Sequence, residues 1–204
     1  MQKKTLFSIL LFTSILIILS SFRLENKTVN NSTTEPVINW NKKQKLNKTD
    51  FNSSISSNID NAVANTATGF GYSITDSAGT ITGSIFVRFY PEKSWWNADR
   101  IQADKADYIL KHEQIHFDIC ELFGRKLFKE ITQLANSGKL NDRNIERMYL
   151  KLEKQYSRYQ NKYDKETNHS INRVEQYYWS NHIKRELKTF EPYSNYTSFT
   201  FLSN

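Results

Sequence analysis

Of cysteine, histidine and unbalanced charge this 204-residue chain has little, and each scarcity excludes something. A single thiol, Cys120, cannot close an intrachain disulfide, so stability has to come from core packing and from any bound metal. Three of the 28 basic residues, Lys3, Lys4 and Arg23, fall in the first 23 positions, leaving 25 against 21 acidic residues in the rest. So mild an excess, scattered through helical segments, does not make a nucleic-acid surface. The opening segment also lacks features: no A-x-A-like cleavage signal follows its apolar run, and no cysteine stands where a lipoprotein leader needs one.

What is present at the start is Lys3-Lys4 followed by apolar residues from Leu6 to Phe22. That order predicts an export signal over 1–23, either cleaved or retained as a signal anchor. The protein is therefore expected to be secreted, periplasmic or at the cell surface, touching a membrane only through that segment. Residues 24–37 are rich in Asn, Ser and Thr and read as a polar linker. The N-x-S/T triplets at Asn26, Asn31, Asn47 and Asn52 would accept glycans only in a eukaryotic secretory route. With 38% apolar and 14% aromatic residues, 38–190 can pack one domain.

Within it, Thr68, Phe70, Tyr72 and Ile74 alternate with smaller residues, Asp76 to Gly79 is turn chemistry, and Ile81, Ile85, Val87 and Phe89 alternate again. This predicts an antiparallel hairpin ended by Pro91, with Trp95 and Trp96 packing as an aromatic corner. From Asp104 to about Ala135, apolar residues recur at steps of three and four, predicting a long helix with Gly124 as either a bend or a point of close approach. Asn136-Ser137-Gly138 stops it, and Asn141 or Asp142 caps a second helix. There Ile145, Tyr149, Leu152, Tyr156, Tyr159 and Tyr163 form a seam suited to antiparallel packing. Ser170 is the expected cap of a third helix, with Ile171, Val174, Tyr178, Ile183 and Leu187 on its inner side to about Thr189. No element is predicted for the tail, 191–204. The expected class is α+β: an N-terminal hairpin or sheet on one long helix, then a long antiparallel helical hairpin.

The chain has four histidines, and two of them stand in His112-Glu113-Gln114-Ile115-His116 inside the long helix. Positions i and i+4 share a helix face, so both imidazoles can reach one Zn²⁺ while a third ligand and a water complete the shell. Glu113 is placed to act on that water as general base. Cys120, a turn further on, lacks a second thiolate and drifts off the His face, so a core role is expected for it. A third ligand is sought where the second helix returns, in Asp164, Glu166 and His169. With Tyr163 as the centre of the buried arc, Glu166 lies about 60° to one side and Asp164 about 100° to the other. His169 can turn inward only if the helix ends by Asn168.

His112-Glu113-Gln114-Ile115-His116-Phe117-Asp118-Ile119 resembles the H-E-Q-x-H-F-D-I of the bacterial domain-of-unknown-function 922 family, whose members are regarded as secreted zinc-dependent proteases. Tyr163-Asp164, Thr167 and His169 resemble its Y-D-x-x-T-x-H-G, with Ser170 in place of the Gly, and Trp40, Leu46 and Phe51 its opening W…L…DF. Lys48-Thr49 departs from the aromatic-containing stretch before that last pair. The resemblance spans about 38–190. It implies a zincin-like fold and orders the third ligand His169 first, Asp164 second and Glu166 third. The expected function is an exported zinc metallohydrolase acting on a peptide or protein, which could pair with an exposed edge of the Ile81 to Tyr90 strand. The alternative is an exported or membrane-anchored binding or scaffold module in which the metal is structural, held by four ligands, or the HExxH site is not catalytic.

Overall fold

The computed structural model describes residues 35–55, 62–77 and 79–202; the expected export signal lies outside them. The central piece is the hairpin of β3 (Thr68–Ser77) and β4 (Thr80–Phe89), paired from Thr68↔Phe89 to Ser77↔Thr80. Alternation turns Ile81, Ile85, Val87 and Phe89 to one face, where all four are buried. Across β4 from β3, the edge is shared by β1 (Ile38–Asn39), at Ile38↔Phe89, and β6 (Phe199–Leu202), from Thr80↔Leu202 to Gly83↔Phe199. Between them Trp40 N–H donates to Val87 O and Ile85 N–H to Tyr196 O. The Ile81 to Tyr90 stretch is therefore an interior strand, which corrects the expectation that it offers a free edge. The tail, for which periodicity gave no element, is built into the sheet because β4 needs partners along its second side. A separate two-stranded ribbon joins β2 (Ala64–Asn65) to β5 (Trp95–Trp96), and Trp95 is buried.

Three helices cover the inner face. The first, α1, runs over Ala106–Asn136, with Gly138 in the left-handed region (φ 65) just past its end. The second, α2 (Asp142–Thr167), is capped by the Asn141 side chain, which accepts from Asn144 N–H. The third, α3 (Arg173–Thr189), is capped by Asn172, accepting from Glu175 N–H, rather than by Ser170. Its buried side carries Gln176, Trp179 and Ile183, while Ile171, Val174, Tyr177 and Tyr178 are exposed. Of the inner face expected for it, Ile183 is buried and Leu187 packs against the core, whereas Val174 and Tyr178 are exposed and Ile171 precedes the helix.

The hydrophobic core runs from the sheet through α1 into α2 and α3. Phe70 meets Phe123, Tyr149 and Tyr156 edge-on or tilted, and Phe51 and Phe117 close around Phe89. Tyr149 and Tyr156 also donate their hydroxyls to Phe70 O and Thr68 O, so α2 satisfies carbonyls that β3 would otherwise leave unpaired. Gly124 marks a close approach of α1 to the sheet: a Cβ there would collide with the side chain of Val87. Gly124→Ala is expected to destabilise the protein by about 1–3 kcal/mol through overpacking, despite the better helix propensity of Ala. Denaturant unfolding should show Val87→Ala recovering part of that loss in the double variant, whereas additive losses would contradict the contact.

Candidate metal centre

Two helices meet antiparallel, and each brings polar side chains four residues apart to the contact. On α1 these are His112 and His116, both buried; on α2 they are Gln160 and Asp164. Nε2 of His112 and Nε2 of His116 are 3.2 Å apart, and Asp164 Oδ1 lies 3.2 Å from the first and 3.0 Å from the second. These three groups are the cluster able to hold a metal among the described residues. A tetrahedral Zn²⁺ with bonds of about 2.0–2.1 Å sets its ligand atoms about 3.3–3.4 Å apart, so the triangle already has nearly the required size.

The supporting contacts fit the same ion. Gln160 Oε1 can only accept, at 2.7 Å from His116 Nδ1, while its amide donates to His116 O at 3.0 Å. The proton of His116 is thereby fixed on Nδ1, and in the neutral ring the lone pair of Nε2 faces Asp164 and His112. A lone pair turned toward a carboxylate is repelled by it, and a cation between them removes the conflict. The His112 ring is held by stacking on Tyr163, at 4.6 Å between centroids and 23° between planes, and Tyr163 meets His116 edge-on. In the absence of a metal the cluster polarises itself. Burial opposes a charge on His116, but the Asp164 carboxylate and its hydrogen bond outweigh that and push the imidazole up to about 9. Burial likewise works against the Asp164 anion, and the two imidazoles overcome it, holding this carboxyl well below the usual range.

Glu113 is buried beside the cluster, near enough for its charge to favour the protonated forms of His116 and Tyr163. Of the other candidates for third ligand, Glu166 lies apart from the cluster and His169 lies at its exposed rim. Glu166 accepts from Trp179 Nε1 at 2.9 Å on the α3 side of α2. His169 has a side chain 70% exposed, with Nδ1 3.8 Å from Asp164 Oδ1. The helix does end at Thr167, as an inward His169 required, but Asn168, His169 and Ser170 are all left-handed (φ 48, 51 and 70) and carry the imidazole outward. Of the three candidates, Asp164 is the one that clusters with the two histidines, and His169 touches that cluster only through Asp164. Cys120 is fully buried and burial pushes its thiol up, as a core residue.

Gln160 was overlooked in the sequence; the signal was a lone amide in a seam of Tyr, Leu and Ile. Two further motif residues acquire roles on another side of α1. Gln114 Oε1 accepts from Leu46 N–H at 2.9 Å, and Asp118 Oδ1 accepts from Trp40 Nε1 at 2.8 Å and Gln114 Nε2 at 2.9 Å. They fasten the segment between β1 and β2 onto the helix that carries the histidines.

Residues 90–170 match a family described as bacterial protein of unknown function (DUF922), a span that contains His112, Glu113, His116, Asp164 and His169 and amounts to less than half of the chain. No curated protein and no solved structure matched.

The charged pair sets a pH dependence for the metal-free protein. The pKa of His116 is raised above 6.5 in the folded state, so its stabilisation is complete below that pH and is lost as pH rises through about 9. Asp164 is depressed, so its part is present at neutral pH and is lost only in acid. With chelator present, the denaturation midpoint should fall between about pH 6.5 and 9, and His116→Gln should flatten that slope. A parent midpoint that is level over this range would contradict the pair.

Proposed function

We propose that this protein is an exported zinc-dependent hydrolase that cleaves peptide bonds in a peptide or protein substrate. The observation that carries the reading is the meeting of His112, His116 and Asp164 at one point, with Glu113 beside them on the same helix. Export rests on the apolar leader, and the peptidase reading on the resemblance of the two motifs to secreted zinc-dependent proteases. When bound, zinc supplies Lewis acidity that polarises a carbonyl and acidifies a water.

The chain's own residues divide the remaining work. His112, His116 and Asp164 would hold the ion, while Gln160 keeps the His116 proton on Nδ1 so that Nε2 faces inward. Glu113 would take the proton of the attacking water and pass it to the leaving amine, the task of a general base that becomes a general acid. Tyr163 keeps both imidazoles in place by stacking and edge contact. A structural site with four protein ligands is the competing reading. The three-group cluster among the described residues favours the open one, since it leaves a tetrahedral position for water or substrate.

Zinc content and hydrolysis should separate in variants. Glu113→Gln is expected to retain about one zinc per chain and to lose at least about 10²-fold in peptide cleavage. Asp164→Ala should abolish tight zinc binding, and His169→Ala should cost no more than the roughly 10 to 100-fold of an outer contact. Elemental analysis and a peptide-library assay would decide: parental cleavage by Glu113→Gln removes the proposed base, and loss of zinc from His169→Ala but not from Asp164→Ala removes the proposed ligand set.

A further inference from the structure

On the opposite side of the seam lies a cleft of about 330 Å³ lined by Phe123, Lys126, Gln155, Arg158, Tyr159 and Lys162. At about 100° per residue, its α2 members fall about 40–140° to one side of Tyr163, whereas Asp164 falls about 100° to the other. The cleft is therefore separate from the metal cluster. Its floor is aromatic and its walls are cationic. The Lys126 ammonium stands 4.8 Å from the Phe123 ring centre and 5.6 Å from those of Tyr159 and Phe190, while Lys162 stands 5.7 Å from that of Trp179.

The positive charges in this cleft exceed what the chain sets against them: Glu186 acts on Lys126 only from beyond ion-pair distance. Among the described residues neither Lys126 nor Arg158 has a carboxylate within ion-pair distance. Arg158 Nε donates only to Lys154 O, at 3.3 Å. Lys162 reaches Glu166 at 3.7 Å, but that carboxylate also accepts from Trp179. Lys126 is partly desolvated, and burial draws its pKa down. A half-buried ammonium, a guanidinium fork and a second ammonium around one small space suit a compact, multiply charged oxyanion. The half-buried ring of Tyr159 suits an apolar or planar body attached to it; its hydroxyl is engaged with His182 Nε2 at 2.7 Å, so the ring is what it offers.

We propose that this cleft binds the phosphate group of an organic phosphate ester, with Lys126, Arg158 and Lys162 holding its oxygens and Tyr159 supporting its body. The ester can be soluble or a lipid headgroup, and the chemistry of the site is the same for both. Binding does not depend on the hydrolase reading.

Calorimetric titration of the zinc-loaded protein with inorganic pyrophosphate, at fixed ionic strength, is the direct test. Saturable one-site binding is expected, weakened at least about tenfold by Arg158→Ala and by Lys162→Ala, with zinc content and helical circular dichroism unchanged. These two side chains are solvent-facing cations, and their removal leaves the core packing intact. Binding that persists in both variants but vanishes in His116→Ala would place the anion at the metal cluster and overturn the proposal. So would the absence of saturable binding, or acetate at equal ionic strength competing as well as phosphate. Sedimentation with phosphatidylglycerol vesicles, compared with phosphatidylcholine, identifies the source. Cosedimentation that pyrophosphate reverses assigns the headgroup, and pyrophosphate binding without cosedimentation assigns a soluble ester. Vesicle binding untouched by Arg158→Ala and Lys162→Ala, without pyrophosphate binding, counts against the site.

Discussion

A carboxylate placed in the seam between two helices can keep its charge only if positive charge faces it, and that requirement governs the contact between α1 and α2. Beside Tyr163 and Thr167, partial burial alone would push the Asp164 carboxyl up. His112 and His116 reverse the outcome, at 3.2 and 3.0 Å. Because Gln160 claims Nδ1 of His116, that ring can offer Asp164 positive charge only through a proton on Nε2 or a metal ion held there. Removing either partner alone would leave a buried charge without its complement, so the two helices are tied to one register.

The same helix carries a second buried polar arrangement that fixes it from another side. Glu121 and Arg125, both almost fully buried, pair at 2.7 Å; Tyr196 donates to Glu121, and Arg125 reaches Leu187 O and Glu191. Burial raises the Glu121 pKa, and the tyrosine and guanidinium counteract it only in part. Together with Gln114 and Asp118 on Trp40 and Leu46, this network joins the segment after β1, the end of α3 and the approach to β6 to α1. The histidines thus sit on an element held by the sheet, by α2 and α3, and by both ends of the domain. Such support is what a site needs if its donor atoms are to stay within a few tenths of an ångström of a working geometry.

Periodicity was sufficient where one face of an element is buried and the other wet. The β3–β4 hairpin, the long α1 and the α2 seam all follow from spacing, and the HExxH pair follows from i,i+4 geometry alone. It failed where tertiary context decides. The four-residue β6 has no period of its own and exists because half of one side of β4 is open to it. On α3, Val174 and Tyr178 keep apolar spacing yet lie in solvent, since Trp179 and Ile183 face the bundle. For the third ligand, the buried arc of α2 was centred on Tyr163 because Gln160 and Thr167 are polar. Both are buried, and including them moves the centre over the last two turns by about 30° toward Asp164 and away from Glu166. The amide that fixes the imidazole was therefore also the residue that could have located the carboxylate.

The turn after Asp164 explains why His169 departs. Three consecutive residues other than glycine in the left-handed region are costly, about 1–2 kcal/mol each as a general steric penalty and less for Asn. That conformation turns His169 N–H onto Asp164 O at 2.9 Å and Asn172 N–H onto Thr167 O at 2.8 Å. The Thr167 hydroxyl closes the same turn from inside by donating to Tyr163 O at 2.7 Å. The backbone of Asp164 is held by its own C-cap, so the carboxylate is delivered to the histidines from a fixed base. Ser170, at φ 70, occupies the position where the resembled motif has glycine, the one residue with no steric objection to that angle. Glycine in the motif and a strained serine here answer to the same demand: the chain must reverse immediately after the helix. In making that reversal it turns the His169 side chain toward solvent and leaves Asp164 beside the two histidines.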